Sequence, residues 1–128
     1  MLIHVDTSIL VETFTEKRHS MPRLYALITR GDVVGLSTIA LYEWLRGPRT
    51  AGEKQSVDEF FEEEVIAPFG RREAERAADL YRNLKRARQR QADLAIAACA
   101  LEHGAALWTL NRADFEDIPG LSLFSLPV

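Results

Sequence analysis

Asp6, Glu43, Asp93 and Asp114 are four acids placed where packing alone would not put a carboxylate. Asp6 closes the apolar run Leu2-Ile3-His4-Val5. Glu43 lies inside Leu41-Tyr42-Glu43-Trp44-Leu45, with apolar residues crowding both sides. Asp93 opens the most apolar stretch of the chain, and Asp114 follows the run Ala105–Leu110 by a few residues. Each has a plain reading of its own. Asp6 fits a helix cap, Asp93 a first-turn acid favoured by the helix dipole, Glu43 an exposed helix face, and Asp114 the cap of the turn ending at Phe115. Their joint placement is the stronger signal. Two carboxylates about 4 Å apart repel by roughly 4 kcal/mol at an effective dielectric of 20. Such a group is relieved either by protonation or by a bound cation. Oxygen donors with no histidine or cysteine nearby suit Mg²⁺ or Mn²⁺ and do not suit zinc. His4, His19 and His103 lack zinc spacing and read as structural or exposed. The task that fits an all-carboxylate magnesium site is phosphodiester hydrolysis, in which a water is activated and the charge developing on the phosphate is stabilised.

For these acids to meet, the chain must bring distant segments to one edge of a sheet. Residues 2–5 read as a short buried strand, and Asp6-Thr7-Ser8 offers capping chemistry to a helix carrying Ile9, Leu10, Val11 and Phe14. Ser20 and Pro22 open a second helix with Leu24, Leu27 and Ile28, ended by Gly31. Val33–Leu36 is a strand. Ser37 or Thr38 caps a helix to about Arg46, stopped by Gly47-Pro48. An acidic helix is expected over about 53–64, a short strand at Val65-Ile66, one long helix over about 71–90 and another over about 93–103, closed by Gly104. Ala105–Leu110 reads as a strand, Arg112–Phe115 as a helical turn and Leu121–Leu126 as a final strand. Short apolar strands alternating with helices predict an α/β fold, with a mainly parallel sheet of four to five strands flanked by helices. Ligands of such sheets bind beyond the carboxyl ends of the strands. Asp6, Glu43 and Asp114 lie at or soon after such ends, and Asp93 joins them if its helix starts at the same edge.

The chain of 128 residues suits one domain over 1–128, large enough to fold on its core without disulfides. Cys99, the single cysteine, sits among alanines and reads as a small core residue. No apolar stretch is long enough to span a bilayer, and the N-terminus lacks the basic region of a signal peptide. A reduced, cytoplasmic location is expected. The net charge of −3 argues weakly against nucleic acid, but its distribution is uneven. Residues 53–64 hold six acids against Lys54, whereas residues 82–90 hold Arg82, Lys85, Arg86, Arg88 and Arg90 with no acid. Such a split fits two solvated faces, or a basic wall for a phosphate backbone. Arg46, Arg49, Arg86, Arg88, Arg90 and Arg112 are the candidates for phosphate contacts, since four carboxylates alone would repel RNA. Trp44 and Tyr42 fit core packing better than base stacking.

Taken together, these segments resemble a PIN domain, and specifically the VapC toxin group. Val5-Asp6-Thr7-Ser8-Ile9-Leu10 resembles the opening of that family, and Ser37-Thr38-Ile39-Ala40-Leu41-Tyr42-Glu43 the segment with its second acid. Asp93-Leu94-Ala95-Ile96-Ala97-Ala98, followed by Leu101-Glu102-His103-Gly104, resembles the third. Thr109-Leu110-Asn111-Arg112-Ala113-Asp114-Phe115, then Ile118-Pro119-Gly120-Leu121, resembles the block with the fourth. Four pieces in order cover essentially the whole chain. The resemblance implies that Asp6, Glu43, Asp93 and Asp114 bind Mg²⁺ or Mn²⁺, with Thr7, Ser8, Thr109 and Asn111 as supporting hydrogen bonders. It also implies cleavage of RNA, a homodimer and inhibition by a VapB-like antitoxin. Many members carry Asn where this chain has Ser8, and Glu116 and Asp117 compete with Asp114 as the fourth ligand. The apolar early helices (Ile9, Leu10, Phe14; Leu24, Leu27, Ile28) are candidates for a dimer face and an antitoxin groove, or for plain core.

Three rivals use similar parts. A receiver-type phosphoacceptor needs a lysine beyond a late strand, and the last lysine is Lys85. A haloacid-dehalogenase-type phosphatase wants an aspartate two residues after Asp6, where Ser8 stands. A catalytically inactive PIN scaffold, acting as an RNA- or protein-binding module, predicts no cleavage of any RNA.

Overall fold

A computed structural model describes residues 1–15 and 19–125. Four strands are β1 (Leu2–Val5), β2 (Val33–Ser37), β3 (Ile66–Ala67) and β4 (Ala106–Trp108). They form one sheet in the order β3-β2-β1-β4, and every pairing is parallel. Six helices flank it: α1 (Thr7–Phe14), α2 (Met21–Thr29), α3 (Thr38–Arg46), α4 (Ala51–Phe60), α5 (Arg71–Asn83) and α6 (Gln91–His103). Because all strands run the same way, the residues after β1, β2 and β4 leave the sheet at one edge. The chain steps outward from β1 to β2 and β3, then crosses back to lay β4 on the other side of β1. That reversal leaves a crevice at the carboxyl end of β1, the ordinary place for a ligand in an open parallel sheet.

The core is centred on α6, where Leu94, Ala95, Ile96, Ala97, Ala98, Cys99 and Ala100 are all buried. A helix apolar all round must be covered on every side. Here α5 and α3 pack on it while its other flank meets β2 and β4. Gly104 ends α6 in the left-handed region at φ 67°, a conformation cheap only for glycine, and turns the chain into β4. Burial pushes the Cys99 thiol up to about 12, with Glu73 as the lesser cause, as suits a core residue. Ile9, Leu10, Phe14, Leu24 and Leu27 are core, while Ile28 stays 42% exposed. Trp44 is fully buried and Tyr42 is exposed. No helix among the described residues is long and apolar enough to cross a membrane.

Several boundaries differ from the sequence expectation, and the short strand expected at Val65-Ile66 lies at Ile66–Ala67, with Val65 in a 3₁₀ turn. The acidic helix starts earlier and stops at Phe60, because Thr50 and Glu53 form a reciprocal capping box, with Thr50 N donating to Glu53 Oε1 (2.8 Å) and Glu53 N to Thr50 Oγ1 (3.1 Å). The long helix expected over 71–90 breaks after Asn83. Arg86 takes a left-handed conformation at φ 53°, and Ala87–Arg90 is a separate 3₁₀ turn. The expected strand Ala105–Leu110 is trimmed to Ala106–Trp108. The expected strand Leu121–Leu126 is reduced to a single bridge between Leu107 and Leu123, and Leu126 lies outside the described residues.

His4 carries a pH signature. Its ring is buried in β1 against His103 (5.9 Å between centroids), and its Nδ1 has no hydrogen-bond partner among the described residues. Burial, helped by the His103 charge, lowers its pKa to about 4. The fold therefore favours the neutral ring. Stability from this source is complete above pH 6.5 and is lost as pH falls toward 4, by about 3 kcal/mol in total. Urea titrations of wild type and His4→Leu at pH 7 and pH 4 should diverge by that amount, with the variant relatively better off in acid. Parallel behaviour at the two pH values would contradict it.

Candidate active site

Asp6 is the pivot of the site. It leaves β1 in an extended conformation, and its backbone N–H reaches across to the Trp108 carbonyl (3.1 Å). Its side chain first does the work of an N-cap, with Oδ1 accepting from Ser8 N (3.0 Å) and Ile9 N (3.4 Å). It then exceeds that role. Ser8 Oγ also donates to Oδ1, and Thr109 Oγ1 donates to Oδ2 at 2.5 Å from the far end of β4. Both hydroxyls are themselves held, Ser8 Oγ by Leu110 N (3.1 Å) and Thr109 Oγ1 by Asn111 N (3.0 Å). The carboxyl is thus locked in orientation by the first turn of α1 and the loop after β4. Burial raises its pKa, and the four hydrogen bonds oppose that rise.

The other acids arrive from separate elements. Ser37 caps α3 by accepting from Ala40 N (3.1 Å), which brings Glu43 round on the second turn. Glu43 Oε1 accepts from Thr7 Oγ1 (2.7 Å), a direct bond between the first and second acidic segments. Asp93 sits in the first turn of α6. Its pKa is pushed up to about 6, by burial first and then by the charges of Asp114, Glu43 and Asp6, with Arg90 opposing. Asp114 ends the 3₁₀ turn Arg112–Asp114 beyond β4 and is exposed. Four acids spread over 109 positions of the chain therefore share one electrostatic neighbourhood. Its members are a buried, oriented carboxylate, two partly buried ones and an outer one.

The chain as a whole matches known proteins. The sequence profile of the PIN domain matches residues 3–121. The chain belongs to the PIN domain family. No curated protein sequence matches it. Among solved structures, a chain of VapBC2 from Rickettsia felis bound to a promoter DNA fragment superposes with a TM-score of 0.75 at 23% identity, covering 99% of this chain and 100% of that one. A chain of the toxin–antitoxin complex from Klebsiella pneumoniae gives 0.71 at 26% identity, covering 97% and 99%. DNA-bound VapBC from Salmonella typhimurium gives 0.72 at 24%. This PIN domain thus has the fold of chains found in toxin–antitoxin complexes.

The candidate arginines around the PIN site divide sharply. Arg86 and Arg88 are exposed and in no ion pair among the described residues, on the segment leading into α6. Arg46 pairs with Glu43 (3.4 Å) and lies 5.2 Å from the Tyr42 ring centre. Arg49 stacks 4.3 Å from the Trp44 ring centre and donates to the Trp44 carbonyl, so its role is packing. Arg112 ties the C-terminal segment through the Phe124 carbonyl (3.1 Å) and Ser125 Oγ (2.9 Å). Arg90 is held by Asp117 and is mostly buried. Asn111 supports the site through its backbone N–H, and its side chain makes no hydrogen bond among the described residues. His103 pairs with Glu73 (3.2 Å) and His19 with Glu12 (2.8 Å), away from the four acids.

The donor chemistry of this PIN site fits a hard divalent cation: four carboxylates, flanking hydroxyls, no thiol and no imidazole. Among the described residues no three such side chains stand close enough together to hold a metal ion as they are placed. Burial first, and then the charges of Asp114, Glu43 and Asp6, raise the pKa of Asp93, and a bound cation would relieve the repulsive part of that rise.

Proposed function

We propose that this chain is a Mg²⁺- or Mn²⁺-dependent endoribonuclease and the toxin partner of a VapBC-like pair. The observation that carries the reading is the gathering of acids from separate elements: Asp6 is fixed by Thr109 from beyond β4, Glu43 by Thr7 beside Asp6, and Asp93 is raised by burial first and then by the charges of Asp114, Glu43 and Asp6. A bound divalent ion would supply Lewis-acid polarisation of a phosphodiester and an activated water. Asp6, Glu43, Asp93 and Asp114 would hold it. Thr109 and Ser8 keep Asp6 oriented, and Thr7 keeps Glu43 turned toward it. Arg86 and Arg88 offer free positive charge for the RNA backbone. A carboxylate of the site takes the proton of the attacking water.

The partner side of the proposal rests on a groove and on the structural neighbours. Phe14, Met21, Tyr25, Ser56, Glu59 and Phe60 line a cleft of about 330 Å³ between α1, α2 and α4, with Tyr25 exposed. A groove between helices with aromatic walls and a polar side at Ser56 and Glu59 suits one amphipathic antitoxin helix. The neighbour from Klebsiella pneumoniae is a chain of a toxin–antitoxin complex. A homodimer is part of the same proposal.

The test is incubation of the purified chain with total RNA and Mg²⁺ or Mn²⁺, followed by sequencing of the RNA ends. Discrete new ends support the nuclease. No cleavage with either ion returns the chain to the inactive-scaffold reading.

A further inference from the structure

The side chain of Arg90 does something none of the four acids can do. It stands three residues before Asp93, at the entry to α6, and reaches a loop 24 to 27 residues further along the chain. Nη1 and Nη2 form a fork on Asp117, at 2.8 Å to Oδ2 and 2.6 Å to Oδ1. Nη2 also donates to the Asp114 carbonyl (2.8 Å), and Nη1 to the Lys85 carbonyl (3.1 Å). The side chain is 11% exposed, so this is not a loose surface pair. A forked pair of this kind fixes direction as well as distance.

The fork also sorts the three acids of the loop. Asp117 is consumed by Arg90. Glu116 is exposed. Asp114 has its backbone pinned by the guanidinium of Arg90, three residues before Asp93 in the chain, and its carboxylate makes no hydrogen bond among the described residues. We propose that the Arg90–Asp117 pair is a positioning clamp that sets Asp114 beside Asp93 as the fourth acid and thereby fixes how tightly the site holds a divalent cation. This rests on the metal-site reading above. Neither clamp residue touches the reacting atoms.

A clamp that served only to fasten the loop would change stability and nothing else. The experiment therefore reads Mn²⁺ affinity, by loss of the free-ion electron paramagnetic resonance signal, alongside the melting temperature in EDTA. Asp117→Asn should weaken Mn²⁺ binding about tenfold, the usual scale for residues that orient a ligand. Arg90→Lys, which keeps the charge and loses the fork, should do the same and covers the case in which one variant fails to fold. Asp114→Asn should weaken binding at least as much, and adding Asp117→Asn to it should cost nothing further. Wild-type affinity in both clamp variants overturns the clamp, as does a double variant weaker by the product of the two single losses. Loss of binding in Asp93→Asn with no effect of the clamp variants leaves the site and removes the clamp. Absence of Mn²⁺ binding by wild type removes both.

Discussion

Asp93→Asn should lower RNA cleavage by about 10³-fold or more, equivalent to about 4 kcal/mol of lost transition-state stabilisation. The change removes one negative charge from the centre of the cluster and keeps the size and a hydrogen-bonding end. The fold should not suffer. Asp93 is ionised against burial and against Asp114, Glu43 and Asp6, so in the cation-free protein its charge is a cost. Its folded pKa of about 6 stands above the ordinary 3.8, so wild-type stability from this source is complete only below pH 3.8 and is lost as pH rises from there through 6. At pH 7 the cation-free variant should be more stable than wild type by about 1–2 kcal/mol, after allowance for solvent screening of a partly exposed group. His4 tilts stability the opposite way over the same range, but it is present in both proteins and cancels in the comparison. Activity and stability thus move in opposite directions. A merely structural aspartate would lower both.

Chelation gives the second large effect. With EDTA, cleavage should fall to background, a loss of about 10³-fold or more, and Mg²⁺ or Mn²⁺ should restore it. The same ions should raise stability by about 2.7 kcal/mol at a hundred times their dissociation constant. Zn²⁺ is a poor substitute, because the donors are hard oxygens and His4, His19 and His103 lie elsewhere. EDTA-resistant cleavage would mean that the acids act by proton transfer alone, with Asp93 as the natural acid.

The early strand, α1 and α6 were legible because their signals are local and strong. An apolar run ended by Asp6 can hardly be anything but a strand reaching the sheet edge. A run from Leu94 to Ala100 with no polar residue has to be buried on all sides. The common edge of Asp6, Glu43 and Asp114 followed from parallel strand order, and α6 starting at that edge brings in Asp93. Other features were decided at long range. The break after Asn83 has no glycine or proline to announce it, only the left-handed Arg86. The sequence Thr50-Ala51-Gly52-Glu53 did hold a capping-box signal that fixes the start of α4. A run of arginines does not say which of them will be met by an acid. Arg90 reads like its neighbours Arg86 and Arg88 until Asp117 closes on it from 27 residues away. Likewise, nothing local marks Thr109 as the hydroxyl that fixes Asp6 across 103 positions.

Titration of Mn²⁺ into the EDTA-stripped protein, followed by calorimetry at pH 7, asks the central question most directly. Saturable binding by wild type, abolished in Asp93→Asn and weakened at pH 5 where protons compete for Asp93, is the expected result. A flat titration, or identical binding by wild type and Asp93→Asn, would contradict the reading of these acids as a cation site.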